Sequence, residues 1–374
     1  MEKKRVLITF GTRPEAIKMA PLVLALQDQS AIFETRVCLT AQHRKMLDQV
    51  IEFFRLKADY DLDLMKPDQS LHSLTAAIIE RIKPVLDDFR PDYVFVHGDT
   101  TTSMAAALAA FYSGVKVAHV EAGLRTYNKW SPFPEEINRT LTGRLADLHF
   151  APTNQSKANL LKEGVREDNI VVTGNTVIDA LQYGIRLVEE QEPLAVQKLK
   201  QQLSFDREFI LVTGHRRENF GDGFLNICQA LKEIAERTSI DIIYPVHLNP
   251  NVQKPVYDIL SAVRNIHLLE PQPYEAFIWL MSRSRLIITD SGGVQEEAPS
   301  LGKPVLVLRE TTERPEAVAA GTVILTGTNK EKIVSEAIDL LSNEERYHRM
   351  SLLHNPYGDG KATDRIVAFL MRGI

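Results

Sequence analysis

Apolar residues along the chain form short continuous runs that alternate with longer segments of helical periodicity. Strands that helices cover on both faces give this pattern, whereas half-exposed strands alternate in polarity. The run at residues 5–10 ends at Gly11, and Pro14 suits the first turn of a following helix. The run at residues 209–213 ends in the same way at Gly214. The pattern predicts an α/β protein with parallel sheets.

A second pair of segments repeats this arrangement later in each half of the chain. The run at residues 93–97 leads into Asp99 and a helical pattern, and the run at residues 286–289 leads into Asp290 and another. The spacing between the two pairs is nearly constant, which indicates a duplicated domain. We therefore predict two facing, Rossmann-like, doubly wound domains.

The predicted boundaries separate these domains by a charged helical segment. Ligands of open parallel sheets bind beyond the carboxyl ends of the strands, so two facing domains would bring both sets of strand-end loops to one cleft. The predicted parts are an N-terminal domain at 1–180, a linker at 181–199, a C-terminal domain at 200–355 and a C-terminal helix at 356–374 that crosses back to the first domain.

Composition and charge argue against several classes of protein. The sequence has 44 Lys and Arg against 49 Asp and Glu, a net charge of −5, unlike a nucleic-acid binder with a basic surface. No apolar stretch is long enough to span a bilayer, and the first one is broken before a signal-peptide core forms. Cys38 and Cys228 are too few for a disulfide framework. We expect a cytoplasmic protein without nucleic-acid or membrane partners.

Ser291, Gly292 and Gly293 open a predicted helix and form a candidate phosphate site. Backbone amides at a helix start bind anions and glycines allow close approach, although a plain tight turn is the alternative. The dinucleotide fingerprint and the Walker motif are absent, and Ser291 is not in a serine-hydrolase elbow. Of the acids that follow, Glu296 and Glu297, one can accept hydrogen bonds from ribose hydroxyls while the other caps the helix.

One candidate cation follows the first strand of each predicted domain. Arg13 and His215 together suit a diphosphate, because arginine binds phosphate oxygens in a bidentate manner and histidine can donate from either ring nitrogen. A structural role is the alternative for His215. The adjacent Arg216 and Arg217 favour an anion site instead.

Three carboxylates are predicted at one rim of the first domain. Asp99 and Glu121 lie just past neighbouring strand ends, and Glu135 opens a helix. Acids in such positions are desolvated without packing in the core, which favours acid–base chemistry. One alternative is that Glu135 only forms a surface ion pair with Arg139, four residues further along the helix. Lys18 is a candidate cation at the same rim, and the alternative for Lys18 is a solvated side chain.

Two histidine-carboxylate pairs raise the alternative of a metal site. His97 with Asp99, and His119 with Glu121, supply ligand types that divalent metals use. Strand alternation would direct both histidines along the sheet rather than into an open site. We therefore predict no metal and no cofactor.

Six longer motifs occur in one order between residue 5 and Gly360. They resemble the motifs of the non-hydrolysing UDP-N-acetylglucosamine 2-epimerase family, whose glycosyltransferase-B-type fold agrees with the duplicated domain. The motifs are Phe10-Gly-Thr-Arg-Pro-Glu-Ala-Ile-Lys18, His97-Gly-Asp-Thr100, His119-Val-Glu-Ala-Gly-Leu-Arg125, Pro134-Glu-Glu-Ile-Asn-Arg139, Gly214-His-Arg-Arg-Glu-Asn219 and Asp290-Ser-Gly-Gly-Val-Gln-Glu-Glu-Ala-Pro-Ser-Leu-Gly302.

This resemblance implies the reversible conversion of UDP-N-acetylglucosamine to UDP-N-acetylmannosamine without metal or nicotinamide, for cell-surface polysaccharide synthesis. UDP would be eliminated to leave a 2-acetamidoglucal and then added back. The implied acid, base and electrostatic groups are Asp99, Glu121 and Glu135, with Arg139, Lys18 and His215 assisting. The implied UDP ligands are Arg13, His215, Phe277 beside uracil, Ser291, Gly292, Gly293 and Glu297 on the ribose.

The resemblance also implies a homodimer and a second, activating molecule of UDP-N-acetylglucosamine. Residues at the positions of that second site are Gln42, Glu135, Arg216 and His247. The chain departs from some family members at Lys45 and Asp68, where those members have Gln and Arg.

Three other functions remain open from the sequence. A UDP-sugar-dependent glycosyltransferase would use the same nucleotide site, but it needs one base and an acceptor groove rather than three acids. A hydrolysing epimerase would release free N-acetylmannosamine. A regulator that binds the nucleotide sugar without chemistry would introduce no solvent deuterium into it.

Overall fold

The computed structural model describes residues 2–40, 44–64, 69–203 and 207–372. These residues form two compact units. Unit 1 comprises residues 1–182 and 357–374, and unit 2 comprises residues 183–356. Within the described ranges, no helix is both long and apolar enough to cross a membrane.

Unit 1 is built on a parallel sheet with strand order β3-β2-β1-β4-β5-β6-β7. Its strands are β1 Lys4–Phe10, β2 Phe33–Leu39, β3 Tyr60–Asp61, β4 Tyr93–His97, β5 Lys116–Val120, β6 Leu148–Ala151 and β7 Ile170–Val172. Its helices are α1 Arg13–Asp28, α2 Arg44–Phe53, α3 Leu71–Phe89, α4 Thr101–Tyr112, α5 Glu135–Leu145, α6 Asn154–Lys162, the first part of α7 Thr176–Gln191, and α16 Ala362–Arg372.

Unit 2 repeats the order in its parallel sheet, β10-β9-β8-β11-β12-β13. Its strands are β8 Phe209–Thr213, β9 Asp241–Pro245, β10 Ile266–Leu269, β11 Leu286–Thr289, β12 Val305–Val307 and β13 Val323–Leu325. Its helices are α8 Leu194–Gln202, α9 Asp222–Thr238, α10 Pro250–Leu260, α11 Tyr274–Arg283, α12 Gly292–Glu297, α13 Pro315–Ala320, α14 Lys330–Ser342 and α15 Glu344–Ser351.

The central strands are buried because helices cover both faces of each sheet. Val6, Leu7 and Ile8 in β1 are fully buried in succession, as the continuous apolar run predicts. The predicted fold class, two Rossmann-like doubly wound units, is confirmed by the two strand orders.

The strand order reverses between β1 and β4 in unit 1, and between β8 and β11 in unit 2. Such reversals open a crevice at the carboxyl ends of the strands, where ligands of this architecture bind. The loops that leave these four strands contain Arg13, Asp99, His215 and Ser291. Topology alone therefore places these predicted site residues at the two ligand-binding edges.

Candidate active site

Glu121 is held by a cation and an amide at the carboxyl end of β5. Its backbone is left-handed, with φ of 61°, and its side chain is 8% exposed. Lys18, in the second turn of α1, forms an ion pair with Oε2, and Nδ2 of Asn175 donates a hydrogen bond to the same oxygen at 2.8 Å. Nε2 of buried His97 lies 3.7 Å from this oxygen. The Glu121 carboxylate therefore has a fixed position in a largely water-excluded site.

Asp99 lies beside Glu121, in the loop after β4. An Nη2 atom of Arg139 lies 3.0 Å from its Oδ2. Burial raises the pKa of Asp99 to about 6; the charges of Arg139 and Lys18 lower this pKa, and those of Glu121 and Glu135 raise it. A carboxyl group with a pKa near neutrality is suited to take up and release protons.

Glu135 begins α5, and its side chain is half-buried. The ion pair with Arg139 that its spacing allows is not among the contacts of the described residues. Instead, the guanidinium of Arg139 contacts Asp99 and also Glu136, whose Oε2 lies 3.5 Å from Nε. Nδ2 of Asn138 donates to the backbone oxygen of Asp99 at 3.0 Å. The start of α5 is thus tied to the loop that carries Asp99.

Glu15, which was not predicted as a site residue, links two of these loops. Its Oε2 accepts from the amides of Gly11 and Thr12, and its Oε1 accepts from the hydroxyls of Thr100 and Ser103. Burial raises the pKa of Glu15, while these hydrogen bonds lower it. The Thr-x-x-Glu spacing is that of a capping box, a signal that the sequence analysis passed over.

Three buried histidines line the strands beneath this cluster. Burial lowers the pKa of His97 to about 4, of His119 to about 3 and of His149 to about 4, so all three rings are neutral near pH 7. Nε2 of His119 lies 2.7 Å from the backbone oxygen of Gly98. Among the described residues there is no group of three or more His, Cys, Asp or Glu side chains that is arranged to hold a metal.

The corresponding edge of unit 2 carries glycines and cations. Gly292 follows Ser291 and begins α12. If Gly292 carried a side chain, its Cβ atom would lie 3.8 Å from Nη2 of Arg216 and 3.8 Å from Nη2 of Arg314. Arg314 forms an ion pair with Glu296, whose side chain is 2% exposed. The backbone at Gly292 is therefore flanked by two guanidinium groups, a chemistry suited to phosphate.

The remaining predicted residues of unit 2 lie on α11, at the end of α12 and after β8. Phe277 is half-buried on α11, and Glu297 is buried at the end of α12. His215 follows β8, with 41% of its side chain exposed, and its ring stacks on that of His247 with centroids 5.7 Å apart. Arg314 and Asp290 were not predicted as site residues, because their contacts join loops that are distant in sequence.

The other predicted residues belong to unit 1 or fall outside the description. Arg13 is half-buried at the start of α1. Gln42 and Asp68 lie outside the described residues, as does the side chain of Lys45. Of the four residues predicted for the activating molecule, three are among the described residues: Glu135 belongs to unit 1, and Arg216 and His247 belong to unit 2.

Two Rossmann-like units, one with carboxylates at its strand ends and the other with a glycine-containing loop flanked by guanidinium groups, define an α/β protein of the glycosyltransferase-B type. Residues 24–371 match the family model described as UDP-N-acetylglucosamine 2-epimerase. The chain belongs to this family, as the sequence motifs predict.

Individual relatives support the same assignment over nearly the whole chain. The UDP-N-acetylglucosamine 2-epimerase of Salmonella typhimurium (strain LT2) is 58% identical, with 98% of each chain covered. The structure of UDP-GlcNAc 2-epimerase from Neisseria meningitidis bound to UDP-GlcNAc is 53% identical, with a TM-score of 0.87, and covers 98% of this chain and 100% of that one. The Methanocaldococcus jannaschii enzyme in complex with UDP-GlcNAc and UDP is 37% identical, with a TM-score of 0.79 and coverage of 98% and 99%.

Proposed function

We propose that this protein interconverts UDP-N-acetylglucosamine and UDP-N-acetylmannosamine by eliminating UDP and adding it back to a 2-acetamidoglucal. The observation that carries the proposal is the grouping of Asp99, Glu121 and Glu135 with Lys18 and Arg139 at one strand-end edge. A simple transfer reaction needs one base, whereas elimination and re-addition need groups that remove a proton, stabilise a cation and return a proton.

The hydrogen on carbon 2 of the sugar is not activated by a carbonyl, so the bond to UDP must loosen first. As the bond between carbon 1 and oxygen breaks, its electron pair stays with the diphosphate. We assign stabilisation of that anion to Arg13, His215, the amides at Ser291, Gly292 and Gly293, and the flanking Arg216 and Arg314. Electrostatic stabilisation of this kind is commonly the largest catalytic contribution.

Proton transfer is assigned to the carboxylates of unit 1. Asp99 in its ionised form takes the proton from carbon 2 as the double bond of the glucal forms, because its pKa of about 6 lies near the working pH. Glu121, paired with Lys18, stabilises the cationic ring carbon. Glu135 returns a proton to the opposite face of carbon 2 when UDP adds back, and Arg139 positions Asp99.

Binding of the nucleoside is assigned to two further residues of unit 2. Glu297 accepts hydrogen bonds from the ribose, and Phe277 contacts the uracil.

The product of the reaction supplies activated N-acetylmannosamine for the synthesis of cell-surface polysaccharide. We place the enzyme in the cytoplasm, a compartment consistent with its two buried, unpaired cysteines.

A homodimer is part of the proposal. It is supported by large apolar side chains exposed on two helices that pack together, Phe111 and Tyr112 at the end of α4 and Ile137 and Leu141 on α5. Light scattering coupled to size-exclusion chromatography measures the mass directly, and a monomer at micromolar concentration would contradict this part.

The deciding experiment is incubation of UDP-N-acetylglucosamine in deuterium oxide, followed by proton NMR. We expect UDP-N-acetylmannosamine with deuterium at carbon 2 and the nucleotide still attached. Free N-acetylmannosamine would indicate a hydrolysing enzyme instead. Unchanged substrate that is bound but takes up no deuterium would indicate a regulator.

Activation by a second UDP-N-acetylglucosamine is assigned to Gln42, Glu135, Arg216 and His247. We expect epimerisation of pure UDP-N-acetylmannosamine to lag until traces of UDP-N-acetylglucosamine are supplied, since a coupling of about 1–3 kcal/mol changes the population of the active state about 5- to 150-fold. A linear time course that the added substrate does not stimulate would remove activation and leave the epimerase proposal intact.

A further inference from the structure

Asp290 is a fully buried carboxylate beneath the anion-binding loop of unit 2. Its Oδ2 accepts hydrogen bonds from the backbone amides of His215 at 2.9 Å and Arg216 at 2.8 Å, and from Nδ2 of Asn219 at 3.3 Å. These three donors occupy one oxygen. They hold the loop after β8 in place and orient the carboxylate so that Oδ1 is directed elsewhere.

The other oxygen of Asp290 lies beside the His215 ring. Oδ1 lies within hydrogen-bond distance of Nδ1 of His215, at 3.2 Å, although no donor in the described ranges, His215 included, is aligned with it. A buried acceptor without a donor destabilises the folded state. The ring nitrogen is therefore the group from which Oδ1 can obtain a proton. Burial alone would raise the pKa of Asp290, but the hydrogen bonds and charge of His215 and the loop amides lower it.

We propose that Asp290 is a positioning residue that keeps a proton on Nδ1 of His215 and so presents Nε2 to the phosphates of the ligand. When Nε2 also carries a proton, the carboxylate compensates the charge of the ring. The ligand's identity rests on the proposed function, whereas the state of the ring does not. An aspartate that fixes a histidine tautomer in this way acts through the histidine and need not contact the substrate.

The neighbouring ring of His247 provides an internal reference. Its Nδ1 accepts a hydrogen bond from the backbone amide of Asn249 at 3.1 Å, so this nitrogen carries no proton. The two stacked rings are thus expected to carry protons on opposite nitrogens. A nitrogen with a proton and one with a lone pair have well-separated 15N chemical shifts, so NMR distinguishes the two arrangements.

The test records 15N spectra of histidine-labelled protein without ligand, with the His215→Gln and His247→Gln variants used for assignment. We expect a protonated Nδ1 for His215 and an unprotonated Nδ1 for His247. In Asp290→Asn the amide oxygen still accepts from the loop amides, but the amide nitrogen is directed at the ring, so the His215 proton should move to Nε2. An unprotonated Nδ1 on His215 in the unaltered protein overturns the proposal, and this measurement needs no variant to fold.

Kinetics provide the second arm. We expect Asp290→Asn to lower kcat/KM by about 100-fold or more, and to change it less than twofold when it is introduced into His215→Ala. An equally large loss in both backgrounds would show that Asp290 acts independently of His215 and would overturn the proposal. Asp92→Asn is the matched control, because Asp92 also accepts from a backbone amide, that of Arg5 at 2.8 Å, and should change neither readout. If the protein is no epimerase, UDP affinity replaces turnover and the tautomer result stands.

Discussion

Asp99 and Asp290 occupy related places in the two units, each just past a strand at which the order of its sheet reverses. Their surroundings nevertheless shift the pKa values of the two carboxyl groups in opposite directions. Asp99 has other carboxylates nearby, and burial raises its pKa to about 6. The Asp290 side chain is fully buried, whereas that of Asp99 is 28% exposed. Burial alone would raise the pKa of Asp290, but the side chain of His215 and then the amides of Arg216 and His215 lower it below its usual value. The charges and donors that face a buried carboxylate, rather than burial itself, therefore decide whether its pKa rises or falls.

The same contrast extends over the two strand-end edges. In unit 1 the strand ends and the helices beside them supply carboxylates with two cations among them, whereas in unit 2 they supply glycines and guanidinium groups above the buried Asp290. The strand order is shared, so the architecture does not decide the chemistry. Short loops decide it, and each of the following predictions tests one side of this difference.

The largest expected effect is on the carboxylates of unit 1. Changing Asp99→Asn, Glu121→Gln or Glu135→Gln should lower kcat by about 100-fold or more while UDP affinity stays within a few-fold, since these groups act on the sugar in the transition state. Coupled turnover assays and calorimetric titration with UDP measure the two quantities. Asp87→Asn, an exposed acid of the same unit, is the control. Near-normal turnover in all three variants would refute the assignment.

The next effect concerns the cations of unit 2. Arg314→Ala should weaken UDP binding by about 10- to 100-fold, because a hydrogen bond from a guanidinium to the proposed phosphate ligand contributes about 1.5–3 kcal/mol. Arg314→Lys should recover part of the loss. Calorimetry with UDP is the measurement, and Arg237→Ala, on the exposed face of α9, is the matched control. Unaltered affinity in Arg314→Ala would exclude this residue from the anion site.

A smaller effect is expected in the pH dependence of turnover. Asp99 must be ionised to accept a proton, so kcat/KM should fall below pH about 6, by up to about tenfold per pH unit. This fall in kcat/KM should be absent in Asp99→Asn, whose residual kcat/KM should not change with pH in this range. If the fall persists unchanged in that variant, it results from the titration of another group.

The smallest effect, per residue, is on stability. His97, His119 and His149 have pKa values of about 4, 3 and 4 in the folded unit 1, below the usual value of an unfolded chain. The unfolded state therefore binds more protons as the pH falls, and unit 1 should lose about 1 kcal/mol per histidine between pH 6.5 and 5.5. In unit 2 the described histidine with a lowered pKa, His247, is exposed.

The two units can be compared by unfolding the protein in urea at pH 6.5 and at pH 5.5. Peptide-resolved hydrogen exchange then gives the urea midpoint of each unit separately. We expect the midpoint of unit 1 to fall on acidification by more than that of unit 2. Equal shifts in both units, or a rise for unit 1, would show that the buried histidines do not control the acid response.

The sequence by itself determined the architecture and the edge at which the chemistry lies. Continuous apolar runs are a local property, so β1 and β8 could be located to within a residue or so, and a residue that follows a parallel strand must lie at its carboxyl edge. Asp99, Glu121 and Ser291 were predicted as candidate site residues for that reason. The capping spacing at Glu15 was also present in the sequence, but its hydrogen bonds to Thr100 and Ser103 were not.

Only the tertiary structure decided which groups are partners. Helical spacing pairs Glu135 with Arg139, yet the guanidinium contacts Asp99, 40 positions away, because sheet order places the loop after β4 beside α5. Likewise, Asp290 reaches His215 from the adjacent strand of its sheet, and Arg314 approaches Gly292 from a later loop. Local periodicity contains no information on such pairs, since a charged side chain finds its partner through strand order and burial. Strand order and burial also decide which charges and donors surround Asp99 and Asp290, and therefore the opposite directions of their pKa shifts.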